Sequence, residues 1–139
     1  AVSILATVQN VKIRGMKRVA TLDVSSHDCG MIADYKNLTV ENISAPDLKS
    51  DIPTVICGYT CMEEDYINRE YMGWLKTGDR VLIHNCGAYS MSMKGNFIFP
   101  MLAMYMMNDN YEIQEIMRER GQLSDITARC VIGGRRCAT

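Results

Sequence analysis

The 139-residue sequence predicts a mainly β fold, a Greek-key-like barrel or sandwich with a few short helices. Two observations carry this. Short runs in which β-branched and apolar residues alternate with polar ones recur along the chain, and residues that favour chain reversal (SAPD, TGD, NDN, RGQ) separate them. So many short strands are best accommodated in a closed or nearly closed sheet, which leaves few edges exposed. One domain spanning residues 1–139 is expected, and a hydrophobic content of 47% is enough to bury a core.

The elements follow from the local pattern. Residues 4–13 (ILATVQNVKI) and 18–24 (RVATLDV) alternate as strands, and Arg14-Gly15-Met16-Lys17 between them makes a hairpin the natural outcome. Further strands are expected at residues 38–43, 54–57, 80–84 and 111–118. The last of these, YEIQEIMR, also fits a helical period; it is read as a strand, followed by a short helix capped by Ser124 in SDITARC. Two more short helices are expected after the chemically interesting loops, in MEEDYINRE (62–70) and AYSMSMKG (88–95). No internal repeat, linker or low-complexity segment interrupts the pattern.

Composition excludes several functions. A net charge of -1 and a charged fraction of 22% give no basic field for nucleic acid or an anionic membrane. No apolar run is long enough to span a bilayer, and AVSILATVQNVKIR is not a basic leader with a cleavage site, so a cytoplasmic location is expected. In that compartment the six cysteines are expected to be free thiols, mostly buried as small hydrophobes. Cys57 and Cys61 lack a well-spaced second ligand pair, and His27 and His84 are far apart in sequence, so no metal is expected. The eleven methionines concentrate in MSMKGNFIFPMLAMYMMNDN, which reads either as a flexible apolar surface or core strand, or as a partner-facing patch.

The segment from Val55 to Ser90 carries the chemistry. Cys61 in VICGYTCMEED and Tyr89 in TGDRVLIHNCGAYS each follow a short apolar run and a glycine-containing turn, which places a thiol and a phenol on loops at strand ends. Taken alone, such a cysteine reads as a buried, inert thiol, such a tyrosine as a packed aromatic, and Asp65 as a first-turn helix residue favoured by the dipole.

The ordered set Gly58, Cys61, Asp65, Gly78-Asp79, Gly87-Ala88-Tyr89 and Asn96-Phe97, preceded by ILATVQNVKIRGMKRVATLDVSSHDCGMIADYKN, resembles the C-terminal β-domain of the fold-type III pyridoxal-phosphate decarboxylases. That family includes the ornithine, arginine and diaminopimelate decarboxylases, and the fold implied is like the C-terminal domain of alanine racemase. The resemblance covers about residues 4–126. It implies an amino-acid substrate and a homodimer. It also implies that the cofactor is pyridoxal 5′-phosphate, whose ring takes up the electrons left by decarboxylation. Cys61 would reach across the dimer interface as the catalytic thiol and Tyr89 would donate its hydroxyl to the cofactor phosphate. Asp65 would lie near the substrate's distal amine, where a carboxylate suits a cation.

Two departures bear on substrate. Met62 stands at the substrate-binding position where the family usually carries an acid, and a thioether cannot pair with an ammonium group. A basic substrate is therefore disfavoured unless Glu63, Glu64 or Asp65 compensates. The diaminopimelate branch's arginine for a substrate carboxylate falls at Met31, and its Asp-Gly-Gly run is Asp23-Val24-Ser25 here, which disfavours diaminopimelate.

Extent is the third departure. Family members are about three times as long, with a preceding (β/α)8 barrel that supplies the Schiff-base lysine and the phosphate site. None of the lysines here, such as Lys36, Lys49 or Lys94, has that context, so the cofactor is not expected to be held by this chain alone and the isolated chain is expected to be inactive. Without the N-terminal strand of the full enzymes, an open sheet edge is also expected. The alternative reading is a non-catalytic binding or regulatory homologue of the domain, for which Met62 and Met31 speak.

Overall fold

The computed structural model describes residues 2–30, 33, 36–87, 89, 97–110, 112–127, 131–132 and 135–136. The chain groups into two compact units, residues 1–94 and 95–139. The expected mainly β architecture is present.

The first unit is built on one six-stranded sheet. Its strands are β1 (Ile4–Arg14), β2 (Lys17–Leu22), β3 (Val40–Asn42), β4 (Lys49–Cys57), β5 (Tyr66–Gly73) and β6 (Arg80–Ile83), in the spatial order β3-β6-β1-β2-β4-β5. β1 and β2 form the expected hairpin, with Arg14 opposite Lys17. Gly15 takes φ 63° as the first of the two turn residues, the position where a tight hairpin turn of this kind needs glycine. A register shift between Val8 and Asn10 bends β1, so that its first half pairs with β6 and its second with β2. Alternation then sets the core: Ala6 and Val8 from β1, Ala20 and Leu22 from β2, Ile56, Ile67, Val81 and Ile83 are all buried.

The two edges of this sheet are tied to each other. Leu38 N donates to Ile67 O at 3.0 Å, Asn68 Nδ2 donates to Leu38 O at 2.9 Å and Arg69 N donates to Asn37 Oδ1 at 2.8 Å, which links the approach to β3 with β5. At the other end Asn42 Nδ2, on β3, donates to the carbonyl of Trp74, just past β5, at 2.8 Å. The barrel is thus nearly closed, and the open edge expected of the isolated domain is bridged, within this sheet, by its own opposite edge. Asp79 supports the closure: buried in the Gly78-Asp79 turn, its Oδ2 accepts from Asn42 Nδ2 and Lys76 N at 2.9 and 3.1 Å.

One expectation needs correction, and two features go beyond what the pattern announced. Residues 62–70 are not helical: Tyr66–Gly73 is strand β5, antiparallel to β4. A helix that the strand pattern did not announce, α1 (Ser26–Cys29), follows β2, closed by a capping box between Ser25 and Asp28. The sheet is mixed, because β2 and β4 pair in parallel. The helix expected at 88–95 lies outside the described residues, apart from Tyr89.

The second unit contains β7 (Met104–Met107) and β8 (Ile113–Arg118), an antiparallel pair around the NDN turn, then α2 (Leu123–Thr127) and the short pair β9 (Val131–Ile132) and β10 (Arg135–Arg136). Asn108 holds the turn, its Oδ1 accepting from Asn110 N and Glu112 N. Ser124 lies inside α2 rather than capping it; Asp125 Oδ2 instead accepts from Gln122 N at 2.6 Å. Ile98, at φ 65°, forms a three-residue turn in which Phe99 N donates to Phe97 O at 2.8 Å. Among the described residues no helix is long and apolar enough to cross a membrane.

Candidate functional site

Strand direction decides where the functional side chains gather. β1 is antiparallel to β2 and to β6, and β2 is parallel to β4. β2, β4 and β6 therefore all run the same way, and their C-terminal ends lie at one end of the sheet. From that end emerge α1 after β2, the loop of residues 58–65 after β4, and the segment leading to Tyr89 after β6. The cysteine loop and the segment after β6, far apart in sequence, thus leave the sheet at the same end.

Asp65 organises the cysteine loop. The residue is buried, and its carboxylate accepts four hydrogen bonds: Oδ1 from Ser25 Oγ (3.1 Å) and Ser26 N (2.7 Å), Oδ2 from Thr60 N (2.9 Å) and Thr60 Oγ1 (2.6 Å). Burial pushes the Asp65 carboxyl up, but these donors outweigh it and hold the group below the usual carboxylate value. Gly58 is required by the same contact, since a Cβ there would overlap the Asp65 carboxylate. The bonds join two of the three loops, clamping the cysteine loop to the start of α1.

A thiol pair joins α1 to the third. Cys29, at the end of α1, and Cys86, after β6, are both fully buried. The hydrogen bond that Cys29 donates to Cys86, together with burial, pushes the Cys29 thiol well up, and the same bond holds Cys86 down. Cys86 N donates to Val2 O at 3.0 Å, and Gly87 next to it has Val2 packed so close that a Cβ would crowd it at 3.3 Å. Asn85 and Tyr89 both adopt left-handed φ, 63° and 62°, which is uncommon for residues with a Cβ and turns Tyr89 outward.

Against this frame the two predicted reactive groups are accessible. Cys61 is exposed, and Tyr89 is 73% exposed. Met62 is half exposed, with Sδ 2.9 Å from His27 Nε2. Of the loop carboxylates, Asp65 faces inward and Glu64 pairs with Arg69 at 3.0 Å, while Glu63 is exposed and makes neither contact. A cleft of about 350 Å³ runs beside the loop, walled by Thr21, Gly58, Thr60, Met62 and Tyr66. Burial, aided by Asp65, pushes the Cys57 thiol up. Asn96 and Met31 lie outside the described residues. The signal that sequence reading missed is Ser25-Ser26: the S-x-x-D capping box of α1 was visible, but its use as the anchor for Asp65 was not. Among the described residues no group of three or more His, Cys, Asp or Glu side chains gathers to hold a metal.

Comparison with known proteins bears on the family and the fold. Residues 1–87 match the family described as pyridoxal-dependent decarboxylase, C-terminal sheet domain. Among solved structures, diaminopimelate decarboxylase from M. jannaschii is 21% identical and superposes with a TM-score of 0.80 over 94% of this chain and 30% of its own. The Helicobacter pylori enzyme, complexed with L-lysine, is 23% identical with a TM-score of 0.75 over 89% of this chain and 30% of its own. Arginine decarboxylase from Paramecium bursaria Chlorella virus, bound to agmatine, is 23% identical with a TM-score of 0.58 over 68% of this chain and 27% of its own. The chain spans about a third of the length of these structures or less. No curated protein matches it.

Proposed function

Since the chain belongs to the C-terminal sheet domain family of the pyridoxal-dependent decarboxylases, we propose that it is the β-domain of an amino-acid decarboxylase, contributing Cys61 and Tyr89 to an active site that a (β/α)8 barrel completes across a homodimer interface. The observation that supports this most directly is the common end of β2, β4 and β6, where an exposed thiol and an exposed phenol stand on a frame of buried hydrogen bonds. Groups that act on a cofactor held by another domain must face outward, and the exposure of both side chains supports this reading.

The residues fit pyridoxal phosphate as contributors rather than as its container. Tyr89 O–H would donate to a phosphate oxygen, and the Schiff-base lysine would come from the barrel domain. When bound, the cofactor supplies the electron sink for loss of carbon dioxide. Cys61 Sγ–H delivers a proton to the substrate carbon after that loss, and the 58–65 loop excludes water from one side. Asp65 shapes the substrate end by holding the loop, and Met62 with Glu63 faces the substrate's distal group. With Asp65 enclosed by donors and Glu64 bound to Arg69, Glu63 is the loop carboxylate left to meet a basic group, so the substrate is either a less polar amino acid or one whose ammonium reaches Glu63.

The test is to join the chain to a (β/α)8 barrel of the family and follow carbon dioxide release from a panel of amino acids. Release that falls at least tenfold in Cys61→Ala, together with weakened cofactor retention in Tyr89→Phe, is the expected result. Cofactor binding without release from any substrate would replace this reading with a non-catalytic regulatory homologue, which the exposed thioether of Met62 favours.

A further inference from the structure

The end of β2 away from the cysteine loop holds a positive charge that its neighbours leave unbalanced. Arg18 is 6% exposed, in register with Ala20 and Leu22 on the buried face of the strand. Its guanidinium is held on three sides. Nη2 donates to the Leu75 carbonyl, Nη1 reaches Ser50 Oγ at 3.4 Å, and Cζ lies 3.9 Å from the centre of the Trp74 ring. All three partners are neutral. Among the described residues the ion pairs are Arg69 with Glu64 and His84 with Glu41, neither of which involves Arg18. A buried guanidinium with no counter-charge is costly to keep, and a structure that fixes one in place has it ready for an anion.

Beside Arg18 opens a cavity of about 450 Å³, within the size range of small-molecule sites. Its remaining wall is largely apolar, from Val11, Ile13, Ile52 and the exposed Trp74, with the Ser50 hydroxyl as a second polar group. Asp51 also lines it but makes no ion pair with Arg18. A single fixed guanidinium with an acid in the same wall suits one negative charge better than the two of a phosphate, and the apolar wall suits a short hydrocarbon body.

We propose that this pocket binds a monocarboxylate carried on a short apolar body, the carboxylate pairing with Arg18 and the body packing against Ile13, Ile52 and Trp74. Arg18 and the cysteine loop stand at opposite ends of the paired strands β2 and β4, Arg18 beside Thr54 and Thr21 beside Cys57, so the site is separate from the decarboxylase reading and does not depend on it.

Trp74 is the one tryptophan in the chain, so its fluorescence reports on the pocket directly. Titration of the wild-type chain with hexanoate should give a saturable change in emission at millimolar concentration. Uncharged hexanamide should need at least tenfold more. Arg18→Met should abolish the response, and Arg18→Lys, which keeps the charge but loses the fork, should weaken it. The Arg18 Nε–H resonance of the wild-type protein should shift over the same hexanoate range, a readout that stands even if Arg18→Met does not fold. If emission instead changes with protein concentration alone, and that change is lost in Arg18→Lys, the carboxylate comes from a second copy of the chain. Equal responses to hexanoate and hexanamide, or no saturable response and no Arg18 shift, would overturn the proposal.

Discussion

Asp65 shows how a single side chain can be recognisable in sequence yet ambiguous in role. Its position four residues after Cys61 was legible as part of a motif; that its carboxylate is enclosed by Ser25, Ser26 and Thr60 was not, because two of those partners, Ser25 and Ser26, come from a helix start about 40 residues away. Its pKa is held below the usual value, so the stability it contributes is complete above the unfolded value of about 3.9 and is lost as pH falls through the folded value. Chemical denaturation of the wild type should therefore show stability dropping as the pH falls below about 4. Asp65→Asn should remove that part of the pH dependence, and should lower stability near neutral pH by about 2 kcal/mol or more by placing a donor among donors. Thr54 makes the opposite case. Its hydroxyl is buried with no hydrogen-bond partner, so Thr54→Val, which keeps the shape, should leave stability unchanged or raise it by about 1 kcal/mol in the same measurement.

At the scale of elements, alternation gave β1, β2 and β6 nearly to their ends, because each has one face in the core and one in water. β5 escaped because Arg69 and Glu70, adjacent and both exposed, break the alternation of YINREYMG and MEED before it reads as a helix start; what decides it is the antiparallel ladder to β4, a nonlocal partner that no local pattern reveals. Helix α1 is too short for periodicity to register, although its capping box was there to be read. The loop between β4 and β5 depends on close approach. Gly58→Ala should destabilise the protein by about 1–3 kcal/mol in denaturant melts, since the added methyl must displace the Asp65 carboxylate or the backbone. That loop also sorts the thiols. Among the four described cysteines, native labelling with a maleimide, read by peptide mass, should modify Cys61 first, Cys57 more slowly, and Cys29 and Cys86 only on unfolding. Early modification of Cys29 or Cys86 would show that the thiol pair linking α1 to the segment after β6 opens readily.

The whole molecule divides its apolar residues unequally. Among the described residues, every one of the largest fully buried side chains lies between Val8 and Cys86, within the first unit. The second unit displays Phe97, Ile98, Phe99, Tyr105, Met106, Met107, Ile113, Ile116 and Met117, each at least 44% exposed. The methionine-rich stretch was legible as unusual, and of the two readings left open for it, burial as a core strand fails for β7, whose residues are half-buried to exposed. Large apolar side chains exposed in such number are a candidate contact surface, and methionine suits a surface that must adapt to a partner. A chain ending at Lys94 retains the complete six-stranded sheet and its core, so it should unfold cooperatively with the native Trp74 emission and sediment as a single species. The intact chain should associate as its concentration rises, and exchanging Ile113 and Met117 for lysine should return it to a monomer without changing the unfolding of the first unit. An intact chain that stays monomeric at high concentration would detach the methionine-rich hairpin from the proposed dimer interface, and a shortened chain without cooperative unfolding would show that the sheet needs residues beyond Lys94 to hold its form.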